Sequence, residues 1–176
     1  MKTVKLICAF MFVAGMTLMG SCSSDDNGGG GGNAALGTIK AKVNGTNVTT
    51  MSMVTFATRT GSFLTLQGNT GGTSSKAFVL NVTTLNGVGT YDIGGGSTGL
   101  GQANTSYTEI TVNLSNPGAS DTKVWQAPYT GGEKVGEINI SEISDTNVKG
   151  TFFFTCKNST DESIKNVTEG SFNINF

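Results

Sequence analysis

Apolar and polar residues alternate along most of the chain, which is the pattern of β-strands with one buried face. In the segment 39–43, Ile39, Ala41 and Val43 are separated by two lysines. The same period of two recurs at 78–82 and 110–114. The remaining strands are predicted at 48–58, 63–67, 89–93, 123–127, 136–143, 150–156 and 171–176.

Turn-forming dipeptides separate these segments. Asn44-Gly45 is the strongest hairpin signal, because both residues tolerate the positive φ of a two-residue turn. Pro117-Gly118 and Gly131-Gly132 supply further turns. Short strands at this spacing predict an all-β fold, an antiparallel β-sandwich or flattened barrel of about ten short strands.

The last third of the chain has the clearest inward faces. Alternation predicts three apolar rows that pack into one core: Ile138 and Ile140; Phe152, Phe154 and Cys156; Phe172, Ile174 and Phe176. Cys156 shares its face with two phenylalanines, and the chain contains no His that could lower its pKa. The sequence therefore predicts a buried, unreactive thiol.

The N-terminus has the composition of an export signal. Lys2 and Lys5 precede an apolar run at 6–19, and Gly20 and Ser21 are small residues. The apolar run is shorter than the ~20 residues that span a bilayer. We therefore predict a signal peptide at 1–21, a tether at 22–33 and one all-β domain at 34–176.

The segment 18–22, Leu-Met-Gly-Ser-Cys, resembles a bacterial lipobox. This resemblance implies that Cys22 becomes the first residue of the mature protein and carries lipid. Two or more acyl chains suffice for stable anchoring, so the membrane is a predicted partner through Cys22. Residues 23–33 are mostly Ser, Asp, Asn and Gly, which makes a flexible tether.

Composition and charge remove several classes of function. The net charge is −1 and charged residues make up 13% of the chain, which lacks the cationic surface that nucleic-acid binding needs. The absence of His excludes Ser-His and Cys-His nucleophile pairs and His-ligated metals. The acidic residues also lack the spacing of a calcium loop. Neither a cofactor nor a metal site is predicted.

Carboxylates and aromatic residues are the remaining chemistry. A glycosidase needs two carboxylates about 5 to 10 Å apart, a distance that the sequence does not give. Trp125 and Tyr129 flank Gln126-Ala127-Pro128, and aromatic residues on loops of a rigid β-domain commonly stack on a sugar or anchor a partner. Trp125 and Tyr129 are thus candidate ligand-binding residues. The alternative for Trp125 is burial at a strand end.

Several segments together resemble a family of small Bacteroidota outer-membrane lipoproteins classed as a domain of unknown function. Besides the lipobox and the acidic, Gly-rich tether, they are 42–45, 89–96, 136–140, 149–155 and 169–174. The resemblance covers essentially the whole mature chain and implies an all-β lipoprotein without catalytic residues to carry over. In such lipoproteins, acidic residues after the lipidated Cys resemble a signal for surface export, and Asp25 and Asp26 fit this pattern.

The sequence thus predicts a lipid-anchored outer-membrane protein, displayed at the cell surface, that is a non-catalytic binding or assembly module for a glycan or protein ligand. The alternative is a carboxylate-dependent hydrolase acting on glycans on the same fold. Two acidic side chains converging in a wide cleft would favour the hydrolase. Exposed rings of Trp125 and Tyr129 without such a pair would favour binding.

Overall fold

A computed structural model describes residues 33–96 and 101–176. Within these ranges the regular structure is β apart from two short 3-10 helices, Ser52–Val54 and Pro117–Ala119, which confirms the all-β prediction. Cys22, Asp25 and Asp26 lie outside the described residues, as does the predicted signal peptide. The described strands are β1 (Thr38–Val43), β2 (Thr46–Thr49), β3 (Thr55–Thr60), β4 (Phe63–Asn69), β5 (Ser74–Val82), β6 (Gly89–Gly94), β7 (Ala103–Thr111), β8 (Asp121–Ala127), β9 (Lys134–Ile143), β10 (Asn147–Lys157) and β11 (Ile164–Asn175).

The described strands form one antiparallel sheet in the order β2-β1-β11-β10-β8-β7-β5-β4-β3, and β9 pairs with both β10 and β6. The sheet encloses a small closed barrel with extra strands outside it. Of the two predicted architectures, the flattened barrel is therefore the closer description.

At two positions across the sheet, two strands lie end to end: β9 with β8, and β6 with β7. Along one edge of β10, β9 pairs with Val148–Phe154 and β8 pairs at Lys157. At the next position across the sheet, β6 pairs with β9, and β7 pairs with β8. The loop at 128–133 meets the end of β6 at Gly94, whose φ is +74° and where a Cβ would collide with the carbonyl oxygen of Glu133. Only glycine fits this close approach.

The barrel interior holds the apolar core. The ring of Phe152 lies at its centre, with ring centroids 5.9 Å from Phe78, 6.1 Å from Phe154 and 6.3 Å from Phe172. Most of the predicted inward residues are buried, namely Ile39, Ala41, Val43, Phe78, Leu80, Val82, Ile138, Ile140, Phe152, Phe154, Cys156, Phe172 and Ile174. Burial raises the pKa of Cys156 to about 12, although nearby Lys165 acts against the shift, so the thiol is protonated at neutral pH.

Three strand predictions were wrong in detail. Phe176 lies beyond β11 and is 40% exposed, where its N–H donates to the carbonyl of Thr146. The strand predicted at 110–114 lies earlier, and Val112 and Leu114 are exposed. The side chain of Asn113 accepts hydrogen bonds from the N–H groups of residues 115 and 116, which turns the chain at this point.

The third error is the single strand predicted at 48–58, which is broken into β2, a 3-10 helix and β3. Thr50 turns inward, and its hydroxyl accepts hydrogen bonds from the N–H of Ile39 at 2.9 Å and from the hydroxyl of Thr55 at 2.7 Å. The N–H of Met51 then donates to the carbonyl of Asn69 at the end of β4. Through these hydrogen bonds the segment after β2 connects β1 to β4, and this connection helps to close the barrel.

Candidate functional site

Trp125, the first of the two candidate aromatic residues, is buried and only 2% exposed. Its indole N–H donates to the hydroxyl of Ser163 at 2.8 Å, and its ring lies 5.8 Å from that of Tyr107. The ammonium of Lys165 lies 4.6 Å from the centre of the indole ring. The ring is therefore covered by the protein itself, which matches the alternative of a Trp buried at a strand end.

A hydrogen-bonded group lies beside Trp125. Glu109 accepts hydrogen bonds from the hydroxyl of Tyr107 at 2.9 Å and from the ammonium of Lys165 at 3.0 Å. Burial acts to raise the pKa of Glu109, but the hydrogen bonds from Lys165 and Tyr107 outweigh it and hold this pKa below its ordinary value. Burial, followed by the hydrogen bond to Glu109, raises the pKa of Tyr107. These mutually satisfied groups stabilise the fold where the interior meets solvent.

Tyr129, the second predicted aromatic, is 38% exposed in the loop between β8 and β9. The loop begins at the cis peptide bond between Ala127 and Pro128, and Pro128 packs against Gly94 at the end of β6. Tyr129 therefore projects from a loop beside the β6 and β9 pair, and its ligand-binding role stays a prediction.

The outward side of β6, β9 and β10 forms the candidate site, which we name the outer face. Asp92, Glu137 and Phe153 lie directly opposite one another on the three strands, and they make one row. The neighbouring row consists of Thr90, Asn139 and Thr151. Both rows alternate with buried residues of the same strands, so they point away from the core.

Charged and amide groups on the outer face are held in place by one another. The ammonium of Lys134 lies 2.7 Å from a carboxylate oxygen of Asp92 and 2.8 Å from one of Glu137. The hydrogen bonds to Asp92 and then to Glu137 raise the pKa of Lys134, so it is charged at neutral pH. In the next row, the amide N–H of Asn139 donates to the hydroxyl of Thr90 at 2.8 Å.

Phe153 adds an aromatic surface to this polar group. Its side chain is 46% exposed, whereas Phe152 and Phe154 on either side of it are buried. An exposed ring beside fixed carboxylates and amides can stack on a sugar ring while the polar groups bind its hydroxyls. The outward position of Phe153 follows from the period of two. The ion pair between Lys134 and Asp92 joins residues distant in sequence, and no local pattern indicates it.

Three hollows on the described surface hold one carboxylate each. Glu169 lines a hollow of about 260 Å³, Asp145 one of about 370 Å³ and Glu142 one of about 380 Å³. Over residues 33–96 and 101–176, no three Cys, Asp or Glu side chains converge as metal ligands would. Nor does any helix in those ranges have the length and apolar character needed to cross a bilayer.

Fold and surface together define a small all-β barrel domain with a polar and aromatic outer face. A family model described as a domain of unknown function (DUF6252) matches residues 36–174, and the chain belongs to this family. The predicted resemblance to a domain of unknown function is thereby confirmed at that level. Searches of curated proteins and of solved structures found no match.

Proposed function

We propose that this protein is a lipid-anchored module of the outer membrane, displayed at the cell surface, that binds a neutral glycan on the outer face. The observation that carries the binding proposal is the exposed ring of Phe153 in register with Glu137 and Asp92. The three residues lie on paired strands of a closed barrel, so binding costs little ordering of the protein.

The chemistry of the outer face favours a neutral sugar. Carboxylate oxygens of Asp92 and Glu137 accept hydrogen bonds from sugar hydroxyls, and the amide of Asn139 both donates and accepts. Two carboxylates against the single ammonium of Lys134 leave an excess of negative charge, which disfavours uronic or sialic acids. Tyr129, on the adjoining loop, is a candidate for a second stacking contact.

The competing function, a carboxylate-dependent glycan hydrolase, has one feature in its favour, since Asp92 and Glu137 both contact Lys134. Hydrolysis needs one carboxyl that keeps its proton, which apolar burial or a nearby anion provides. Here both carboxylates are partly exposed to solvent and contact the same ammonium, so neither lies in an apolar pocket. They also lie on a strand surface, and none of the three hollows contains a second acid. Binding without hydrolysis is therefore the better-supported function.

The anchor rests on the lipobox-like segment 18–22 and on the composition of the tether. Ala34 is already buried in the domain, so the residues between Cys22 and Ala34 set its distance from the membrane. A Gly-rich coil of that length has an r.m.s. reach of about 18 to 20 Å. Asp25 and Asp26 are proposed as the surface-export signal.

Electrophoresis of the domain in gels that contain neutral polysaccharides tests the binding proposal. We expect a glucan, mannan or xylan to slow the protein, and we expect polygalacturonate to leave it unaffected. The same mixtures are assayed for new reducing ends. Reducing ends that appear with wild-type protein and disappear with Glu137→Gln would establish the hydrolase instead.

Labelling with a fatty acid tests the anchor separately. Cys22→Ser should abolish both the label and cleavage of the signal peptide. A Cys22→Ser protein that still matures and takes up label would refute the assignment. Changing Asp25 and Asp26 to Asn should protect the protein from protease added to intact cells, whereas equal digestion of both proteins would refute the export signal.

A further inference from the structure

A group of exposed apolar side chains lies on the segment that contains the first 3-10 helix. Met53 is 80% exposed, the highest value among the exposed large apolar residues. Residues 50–56 carry no charge, and Arg59 is the one charged residue in the range 43–75. We name this group the tether-end patch, and its members are Leu36, Met51, Met53, Val54 and Phe56.

The tether-end patch lies where the domain begins. Ser52 sits against Gly37, since a Cβ on that glycine would lie 3.0 Å from the Cβ of Ser52. The N–H of Thr50 also donates to the carbonyl of Ile39 at 2.9 Å. Leu36, directly before Gly37, is therefore next to the methionine segment. The patch and the proposed tether meet at the same end of the barrel.

We infer that the tether-end patch rests on the lipid surface beside the anchor and gives the domain a second membrane contact. This inference depends on the proposed lipid anchor at Cys22. The tether keeps the patch within about 20 Å of the headgroups. A short flexible linker gives an effective concentration in the mM range, so weak insertion of a few side chains suffices.

The composition of the patch fits lipid better than a protein partner. Apolar side chains of a peripheral contact lie about 5 to 10 Å into the boundary between headgroups and acyl chains. Methionine side chains are flexible and adapt to such a disordered surface. Residues 50–56 include no carboxylate that anionic headgroups would repel.

The contact would also orient the domain. Asn173 accepts a hydrogen bond from the N–H of Gly37, so this part of β11 lies at the tether end. Thr160 is exposed in the loop that precedes β11. At ~3.3 Å per residue, Asn173 lies about 30 Å from Ile164 at the other end of β11. Thr160 is therefore a matched exposed position far from the proposed membrane contact.

Quenching of Trp fluorescence by brominated lipids tests the inference. The mature chain from Cys22 is coupled through that residue to a maleimide lipid in vesicles of phosphatidylethanolamine and phosphatidylglycerol. The thiol of Cys156 is buried and does not compete. Met53→Trp and Thr160→Trp are compared, and native Trp125, which is also buried, gives the same background in both.

We expect brominated acyl chains to quench Met53→Trp about twofold more than Thr160→Trp, because only the first side chain reaches the acyl boundary. Adding Phe56→Ser to Met53→Trp should reduce the difference. Equal quenching at the two positions would overturn the inference, as would concentration-dependent dimerisation without vesicles that buries the Trp at 53. Coupling bypasses native lipidation, so missing fatty acid on the protein from cells would refute only the anchor.

Discussion

Most apolar residues of the strand pair β10 and β11 point into the barrel, whereas most of those in the segment 46–60 lie on its outside. In β10 and β11, the alternating apolar residues are buried, as Phe152 and Phe172 show. In the segment 46–60, Thr50 and Thr55 are buried, whereas Met53 and Phe56 are exposed.

The difference arises from the hydrogen bonds that closure of the sheet requires. β2 ends at Thr49, and beyond that point the N–H of Ile39 takes the hydroxyl of Thr50 as its partner. A buried N–H without a partner is costly, so a threonine occupies an interior position that hydropathy would give to a methionine. Within regularly paired strands, the alternating apolar residues are the buried ones. Where strand pairing is interrupted, the buried residue is the one whose side chain satisfies a backbone hydrogen bond.

The largest expected effect compares two adjacent phenylalanines of β10. Phe152→Ala should destabilise the protein by about 3 to 5 kcal/mol, because its ring packs against three other rings in the core. Phe153→Ala removes the same atoms from the exposed face and should cost less than about 1 kcal/mol. Urea unfolding midpoints measure both, and similar costs would mean that the two faces of β10 are assigned incorrectly.

The next effect tests the threonine of the interrupted segment. Thr50→Val keeps the shape but leaves the N–H of Ile39 without its acceptor, which should cost about 1 to 3 kcal/mol. Thr49→Val, one residue earlier on the exposed face, is the control and should stay within about 0.5 kcal/mol. A neutral Thr50→Val in thermal or urea unfolding would show that hydrogen bonding does not decide burial here.

A smaller effect concerns the ion pair between Glu109 and Lys165, which lies near the start of β11. The pKa of Glu109 is lowered in the folded protein, so its ionised form contributes stability above the ordinary pKa near 4.5, and this contribution is lost as the pH falls through the folded-state value. The stability of Glu109→Gln should therefore fall less steeply with acid than that of wild type. Glu142→Gln, which removes an exposed ion pair with Lys149, is the control for loss of a carboxylate and should change the free energy of unfolding at neutral pH by less than about 1 kcal/mol. Unfolding midpoints between neutral pH and pH ~3 measure this, and equal slopes for Glu109→Gln and wild type would show that Glu109 is not coupled to folding.

The smallest effect is expected at the tether-end patch. Met53→Ser should change the free energy of unfolding by less than about 0.5 kcal/mol, because the side chain is mostly exposed. Destabilisation above about 2 kcal/mol would mean that Met53 packs in the native state and is not free for a membrane.

The sequence predicts the barrel well wherever alternation and paired strands coincide. The inward positions of Phe152, Phe154 and Cys156 follow from the period of two. The same period wrongly predicts an inward Phe176, because β11 ends one residue before it. The break at Thr50 is not predicted because residues 48–58 contain few local stop signals, and the break depends on hydrogen bonds to β1 and to the end of β4.

The candidate site was less predictable. Trp125 and Tyr129 are neighbours in sequence, but Trp125 lies on the inward side of β8 and Tyr129 lies after the strand ends. The outer face brings together Asp92, Glu137 and Phe153 from three strands, and its geometry depends on register between segments far apart in the chain. Strand register of this kind is set by the whole fold and is not visible in any local pattern.

The most direct test of the account is the affinity of Phe153→Ala for the neutral polysaccharide that retards the wild-type domain. Phe63, a similarly exposed phenylalanine on β4, provides the control Phe63→Ala. Loss of about 0.5 to 1.5 kcal/mol of stacking predicts a dissociation constant roughly 2- to 13-fold higher for Phe153→Ala, and an unchanged one for Phe63→Ala. Unchanged affinity of Phe153→Ala, with its fold intact, would contradict the outer face as the binding site.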